Sequence, residues 1–159
     1  MTSKYKQRVS TIIASLSLAA SLTACSGGST DKPEATPVSS MPETDDWKVQ
    51  AELASESTLA RGKKLFQMCT GCHGINEGEP SPAGPSLYGV AGRTVGSLEL
   101  YPYTPTMKNS GETWTVKNFD EFVASPQTVL PGTGMAFTGI KNSEDRQALI
   151  AFIASKSLP

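Results

Sequence analysis

Two cysteines and the only histidine of this 159-residue chain lie within five consecutive positions, from Cys69 to His73. On one helical turn, residues 69, 72 and 73 project to the same side, so two thiols and an imidazole can reach one bound group. A chain of this length can bury one modest core, and this turn restricts what that core can be built around.

The spacing C-x-x-C-H is typical of the attachment of a c-type haem. Three other interpretations remain open, namely a thioredoxin-like redox pair, half of a zinc site and a structural disulfide. A zinc site would need a fourth ligand, and a thioredoxin motif would need a βαβ context that this sequence lacks. The motif favours one covalently bound haem c, with Cys69 and Cys72 as its attachment residues and His73 as an iron ligand.

The second axial ligand of such an iron cannot be another histidine of this chain. Met135 is the candidate, because a thioether is a soft ligand for iron and the flanking glycines let the backbone approach a haem closely. Among the other methionines, Met68 abuts the haem turn and Met107 lacks a glycine-rich loop. We therefore predict that His73 and Met135 are the two metal ligands.

The N-terminal residues have the features of an export signal. Three basic residues precede a stretch at positions 9–24 that consists mainly of Ile, Leu, Ala, Ser and Thr, which is typical of a signal peptide. A transmembrane anchor is less favoured, because a span needs roughly 20 apolar residues. The segment Leu22-Thr23-Ala24-Cys25 resembles the lipobox of bacterial lipoproteins, which implies cleavage after Ala24 and lipidation of Cys25.

We divide the chain into a lipoprotein signal peptide at 1–24, a lipid-anchored flexible tether at 25–56 and a haem-binding domain at 57–159. The tether is rich in Ser, Gly, Thr, Pro and acidic residues and has little to bury, as is typical of disordered linkers. Loss of residues 1–24 removes three basic and no acidic side chains, which leaves a formal charge of −4. Nucleic acid is therefore not an expected partner.

Apolar residues recur at helical spacing in several segments, and no stretch shows the sustained alternation of a half-buried strand. We predict helices that begin near Ser57 and Ser143 and a third over 115–125, ended by Pro126. The spacing around Trp47 also predicts a short helix that packs this side chain on the domain. The predicted fold class is all-α, with a few helices and long loops wrapped around one covalent haem.

Across nearly all of residues 57–159, the sequence resembles the class I cytochromes c of mitochondria and bacteria. Met135 follows His73 by 62 positions, as in typical members of that family. The resemblance also implies that the first and last helices cross closely, through Gly62 and Phe66 on one and Leu149 and Phe152 on the other.

The same resemblance assigns roles around the haem. The carbonyl of Pro85, in Gly84-Pro85-Ser86-Leu87, would accept a hydrogen bond from the second ring nitrogen of His73. A set of polar and aromatic side chains would hold the haem propionates, which are costly to bury unpaired. These side chains are Arg93, Tyr103, Thr104 and Trp114.

The sequence departs from the family pattern at five positions near the haem. Met107 stands where the family commonly has an asparagine and Phe122 where it commonly has a tyrosine, so we expect a less polar distal side and altered haem tuning. Gln127, Thr128 and Gly134 stand where mitochondrial members usually have lysines. A strongly acidic docking partner is therefore less expected here.

An iron with both axial positions filled has no vacancy for a substrate, so the resemblance implies an electron carrier rather than an enzyme. We expect a monomer, anchored through Cys25 on the periplasmic side of a bacterial membrane, that takes electrons from a quinol-oxidising complex and passes them to an oxidase or reductase. Ser26 slightly favours the outer membrane. The alternatives are a haem peroxidase or gas sensor with a displaceable Met135, and a fixed subunit of an oxidase complex.

Overall fold

The computed structural model describes residues 45–158. It contains six helices, Trp47–Glu52 (α1), Glu56–Phe66 (α2), Pro105–Lys108 (α3), Val116–Ala124 (α4), Pro126–Val129 (α5) and Ser143–Ser157 (α6). In this part of the chain, the β-type pairing is one isolated bridge between Thr94 and Thr113. The predicted all-α class is confirmed. None of these six helices combines the length and the apolar character needed to cross a bilayer.

The three longer helices begin close to their predicted positions because each is preceded by a capping side chain. Each cap accepts a hydrogen bond from a backbone N–H of the first turn, which has no partner within the helix. The bonds run from Thr58 N to Ser55 Oγ (3.2 Å), from Asn118 N to Thr115 Oγ1 (3.0 Å) and from Asp145 N to Asn142 Oδ1 (2.9 Å).

Helices α2 and α6 cross at Gly62. A Cβ atom built at this position would overlap the carbonyl oxygen of Ala148 and lie 2.7 Å from the Cβ of Phe152. Beside the crossing, the rings of Phe66 and Phe152 pack with their centroids 5.5 Å apart. Only glycine permits this approach of the two backbones, in agreement with the close crossing that the sequence predicts.

Helix α6 is buried around its whole circumference in its middle part. The sequence pattern predicts one apolar stripe, whereas residues 148–154 are all buried. The reason is that α1, α2 and α4 all pack against α6. A helix covered from several directions has no polar face over that length.

The folded domain begins earlier in the chain than we predict. Residues 45–56 were assigned to the flexible tether, but Trp47–Glu52 forms a helix capped by Asp46, and α1 packs against α6. Trp47 is only 6% exposed. The short helix predicted around Trp47 is therefore present, whereas the flexible tether predicted for the same residues is not. Residues 1–44, including the predicted signal peptide and Cys25, lie outside the described residues.

Helix α4 is fixed to α6 by a two-pronged ion pair. The guanidinium of Arg146 donates from Nε to Asp120 Oδ1 at 2.9 Å and from Nη2 to Asp120 Oδ2 at 3.1 Å. Arg146 is largely buried, and such bidentate pairs hold a defined geometry. The pair keeps the aromatic side chains of α4 in place next to the site described below.

Candidate haem-binding site

The predicted attachment turn follows directly from the end of α2. Cys69 N donates to the carbonyl of Phe66 at 2.8 Å, and the next turn closes when His73 N donates to the carbonyl of Cys69 at 2.9 Å. Burial, and to a lesser extent the neighbouring Cys72 thiol, raises the pKa of Cys69 to about 11. The two sulfur atoms are not joined in a disulfide, so both are available for attachment of a haem.

The imidazole of His73 is held through one ring nitrogen. Its Nδ1 lies 2.7 Å from the carbonyl oxygen of Pro85. Because a carbonyl only accepts hydrogen bonds, Nδ1 carries the proton and Nε2 keeps its lone pair. Burial lowers the pKa of His73, although the bond to Pro85 acts in the opposite direction. The ring is therefore neutral and presents a nitrogen ready to bind a metal.

The backbone at Gly84 lies directly against this ring. A Cβ built on Gly84 would come within 2.6 Å of His73 Nδ1. The amide of Gly84 also donates to the carbonyl of Cys72 at 2.8 Å. The Gly-Pro segment thus supports both the attachment turn and the histidine ring.

A cleft of about 360 Å³ opens above this turn, and its lining is mostly apolar. The structure brings all nine predicted haem-binding residues together on the wall of this cleft. The spacing of the motif alone would place only three of them next to one another. The nine residues are Cys69, Cys72, His73, Pro85, Arg93, Tyr103, Thr104, Trp114 and Met135. Their individual roles toward the haem stay predictions.

The loop that carries Met135 is tied down by side chains of its own region. Gln127 Nε2 donates to the carbonyl of Thr133 at 3.1 Å and to that of Met135 at 3.2 Å. Gly132 has a φ of +90°, in the region that favours glycine. The loop is therefore held in one shape on its solvent side.

A second set of contacts fixes the same loop from inside. Met135 N donates to Thr133 Oγ1 at 3.3 Å, and the Thr133 hydroxyl lies 3.1 Å from the thioether sulfur of Met107, to which it donates. Thr133 and Met107 are both buried. The hydroxyl thus connects the backbone of the predicted ligand to a second methionine on the cleft wall.

Arg93 supplies the clearest sign that the cleft fits an anionic group. Its Nη1 donates to the carbonyl of Tyr88 at 3.0 Å and its Nη2 to that of Ser86 at 2.7 Å. Its buried Nε has no acceptor among the described residues, and leaving such a group unpaired is costly. Burial lowers the pKa of Arg93, although Tyr103 opposes the shift. A haem propionate would supply the missing acceptor.

The remaining predicted propionate contacts lie on the same wall. Burial raises the pKa of Tyr103, while the charge of Arg93 opposes the shift. Thr104 caps α3, and Trp114 packs on Phe122 with ring centroids 5.0 Å apart. Two thiols and an imidazole on one side, a thioether loop, apolar walls and an unpaired guanidinium N–H together fit a haem c.

Three residues of the site were missed by sequence reasoning. Thr133 and Gln127 hold the methionine loop, and Tyr101 packs edge-on against Tyr103 with centroids 4.6 Å apart. In the sequence, Gln127 stands out only as a residue at a position where mitochondrial members usually have a lysine. Nothing in the neighbouring sequence shows that its amide reaches two carbonyls. Met107 and Phe122 do line the cleft, as the expected apolar distal side requires.

Comparison with known proteins gives consistent results. Residues 59–157 match the family model described as cytochrome c. The cytochrome c2 of Rhodoblastus acidophilus is 42% identical over 93 residues, which cover 58% of this chain and 87% of that protein. The cytochrome c-550 of Bradyrhizobium diazoefficiens is 42% identical over 95 residues, covering 60% and 70%. The cytochrome c of Theileria annulata is 41% identical over 103 residues, covering 64% and 89%.

Proposed function

This chain belongs to the cytochrome c family, and from that premise we propose that it is a membrane-tethered shuttle for single electrons. Class I cytochromes c bind one covalent haem c and are electron carriers, not enzymes. The proposal adds a location and partners to this function. The domain works on the periplasmic side of a bacterial membrane, between a quinol-oxidising complex and an oxidase or reductase.

The observation that carries the proposal is that His73 and Met135 line one cleft and that both are held by hydrogen bonds. His73 is fixed by Pro85, and the backbone of Met135 by Gln127 and Thr133. A bound haem c supplies a one-electron Fe(III)/Fe(II) couple. With a histidine and a methionine as its ligands, that couple has a raised potential, which suits the oxidising end of an electron-transfer chain.

Rigid support of both ligands favours electron transfer over ligand exchange. The hydrogen bonds to the backbone of Met135 limit movement of its loop away from the cleft, which disfavours displacement of the thioether by a peroxide or a diatomic gas. We therefore prefer the carrier to the peroxidase or gas sensor. A fixed subunit of an oxidase complex remains the other alternative, to be separated by the measurements below.

The segment Leu22-Thr23-Ala24-Cys25, which resembles a lipobox, supports the membrane part of the proposal. A lipid anchor at Cys25 would keep the domain close to redox complexes in the same membrane and raise its effective concentration there. Ser26 gives a slight preference for the outer membrane. Intact mass of the mature protein tests this step, because it reports the acyl groups and the haem in one measurement.

The surface near the cleft suggests how partners are recognised. Met68 lines the cleft and exposes 55% of its surface, and Val129 on α5 exposes 42%. Next to Val129 stand Gln127 and Thr128, at positions where mitochondrial members usually carry lysines. We propose that docking relies on apolar contact more than on a ring of positive charge, so partner reduction should depend weakly on ionic strength.

The experiment uses membranes from the source bacterium that contain the native protein. Addition of a quinol should reduce its haem. Admission of oxygen or the terminal acceptor should reoxidise the haem within the turnover time of the electron-transfer chain. Membranes that carry Cys25→Ser, with the cytochrome released, should show slower exchange at equal total haem. Loss of both reactions in the intact protein would contradict the carrier function.

Two further measurements separate the alternatives. A methionine-to-iron charge-transfer band that is absent at neutral pH, together with tight binding of carbon monoxide, would favour the sensor or peroxidase. Co-elution with an oxidase after gentle solubilisation would favour the fixed subunit. The shuttle predicts that the band is present and that the protein elutes alone.

A further inference from the structure

The helix α1 lies outside the part of the chain that matches the cytochrome c family, residues 59–157. It nevertheless makes a direct bond to a residue of the haem cleft. The indole nitrogen of Trp47 donates to the carbonyl oxygen of Trp114 at 2.8 Å, and this bond is buried. Trp114 lines the cleft, so a segment outside the matched residues 59–157 contacts the haem-binding wall.

Aromatic packing extends this contact. The ring of Trp47 meets Phe119 edge-on with centroids 5.2 Å apart, and Phe119 meets Trp114 edge-on at 5.6 Å. Phe119, like Trp114, lines the cleft. Edge-on aromatic pairs of this kind contribute stability beyond the burial of their area. Trp47 thus lies behind two aromatic residues of the cleft and supports both.

The carbonyl that Trp47 binds belongs to a backbone pairing next to Arg93. The same Trp114 oxygen accepts from Gly92 N at 3.0 Å, and Trp114 N donates to the carbonyl of Arg93 at 2.9 Å. Arg93 is the residue whose buried Nε has no acceptor among the described residues. The bond from Trp47 to Trp114 therefore affects the position of the Arg93 guanidinium as well as that of the Trp114 indole.

A second bond fastens the N-terminal segment to the same region. Asp45 Oδ1 accepts from the backbone N–H of Lys117 at 2.9 Å, in the first turn of α4. That N–H has no partner within its own helix. Asp45 and Trp47 therefore clamp the segment across the residues that lead from Trp114 into α4.

We propose that Trp47 is a positioning residue for the haem, which acts by holding Trp114 and, through the backbone pairing, Arg93 in the cleft wall. Removal of its indole loosens this wall and lets water reach the propionate side of the haem. Water stabilises the more highly charged ferric state, and solvent exposure is one of the factors that set haem potentials. Loss of Trp47 should therefore lower the reduction potential.

The test uses the mature, haem-loaded protein and three variants. Trp47→Phe keeps an aromatic ring against Phe119 but removes the N–H donor, and Trp47→Ala removes both. Lys48→Ala is the matched control, because the Lys48 ammonium, within residues 45–158, pairs with the exposed Glu52 at the surface of the same helix. Each protein is measured for midpoint potential by spectroelectrochemistry, for haem circular dichroism and for thermal unfolding.

We expect a negative shift of the midpoint potential and a changed haem dichroism signal in Trp47→Phe, and a larger change in Trp47→Ala. Lys48→Ala should leave both readouts at the wild-type values. The proposal is wrong if Trp47→Phe unfolds at lower temperature while its potential and haem dichroism match those of the wild type, since that pattern denotes support of the fold alone. If Trp47→Ala does not mature, Trp47→Phe decides. These readouts need no redox partner, so the outcome is independent of the shuttle function.

Discussion

At the scale of single residues, the predicted iron ligand His73 is held in place by two adjacent residues, Gly84 and Pro85. The carbonyl of Pro85 accepts a hydrogen bond from His73 Nδ1, while Gly84 leaves only enough room for the flat ring. The two effects are linked, because a side chain at position 84 would push the ring away from the carbonyl that orients it. The Gly-Pro pair therefore sets both the tautomer and the plane of the imidazole.

Gly84→Ala should impair haem incorporation, because the new methyl group would lie within 2.6 Å of His73 Nδ1. The expected result is less haem per polypeptide and a weaker methionine-to-iron charge-transfer band in the material that does mature. Absorbance and intact mass measure both. Gly71→Ala, on the attachment turn, is the control, since a Cβ there meets nothing within 4 Å. Equal incorporation in the two variants would contradict this account.

On the distal side, Thr133→Val should make Met135 easier to displace. Valine keeps the shape but cannot accept from Met135 N or donate to the Met107 sulfur. Loss of such bonds costs about 1 kcal/mol, or roughly a five-fold gain in apparent affinity for imidazole as a competing ligand. An optical titration measures it. Thr128→Val, on the exposed part of α5, should bind imidazole as the wild type does.

Glu79 gives a prediction for the dependence of stability on pH. Its carboxylate accepts from the backbone N–H groups of Asn76 and Ile75, and these bonds lower its pKa from 4.5. A carboxyl with a lowered pKa contributes stability above 4.5 that is lost as the pH falls through its folded value. Glu79→Gln should thus be less stable than the wild type at neutral pH, and the difference should vanish in acid. Denaturation at several pH values measures it, with Glu77→Gln as control for loss of charge in the same loop.

The sequence predicts which residues bind the haem, but it does not predict the hydrogen bonds that hold those residues in place. A short motif brings together Cys69, Cys72 and His73, and the single histidine directs attention to Met135. The amide of Gln127 and the hydroxyl of Thr133 act on backbone atoms of a loop, and such contacts leave no residue pattern to read. Trp47 illustrates the same limit, because its helical spacing predicts burial without showing which residue it meets.

At the scale of helices, periodicity was enough to place the first residues of α2, α4 and α6 to within about one residue, and side-chain caps fix those starts in the structure. The short helices α3 and α5 were not predicted, since four residues hold too little periodicity. The tether boundary was placed too late because a polar composition around Asp45 and Asp46 resembles a linker. The burial of Trp47 and the bond between Asp45 and α4 make that segment part of the fold.

Gly62→Ala should weaken the crossing of α2 and α6. The added methyl group would overlap the Ala148 carbonyl and press on the Cβ of Phe152, both of which belong to a fully buried part of α6. Overpacking of this kind costs about 1–3 kcal/mol, measurable as a lower guanidinium midpoint. Lys63→Ala, the exposed neighbour on α2, is the control. A variant as stable as the wild type would show that α2 and α6 can move apart without loss of stability.

At the scale of the whole molecule, the cofactor is part of the core. The cleft of about 360 Å³ reaches inward to Val90, Leu149 and Ile153, all of which are almost completely buried. A protein without the haem would lack the group that packs against these side chains in the cleft. Burial of apolar surface against the haem should therefore supply much of the folding free energy.

Replacement of both Cys69 and Cys72 by alanine tests this dependence. Without covalent attachment, we expect a chain that keeps some helical signal but loses a cooperative thermal transition and binds a hydrophobic dye. Far-UV circular dichroism, calorimetry and dye fluorescence measure these properties. A sharp transition at the temperature of the haem-loaded protein would show that residues 45–158 build a sufficient core on their own.

The placement of α6 bears on the order of events during synthesis. It follows in the chain every helix that packs against it, namely α1, α2 and α4. A nascent polypeptide that has reached only Asn142 lacks the common partner of these three segments and cannot close around them. We infer that the thiols of Cys69 and Cys72 lie on an open chain during synthesis, where they are accessible for haem attachment, and that the core closes only after the last helix emerges.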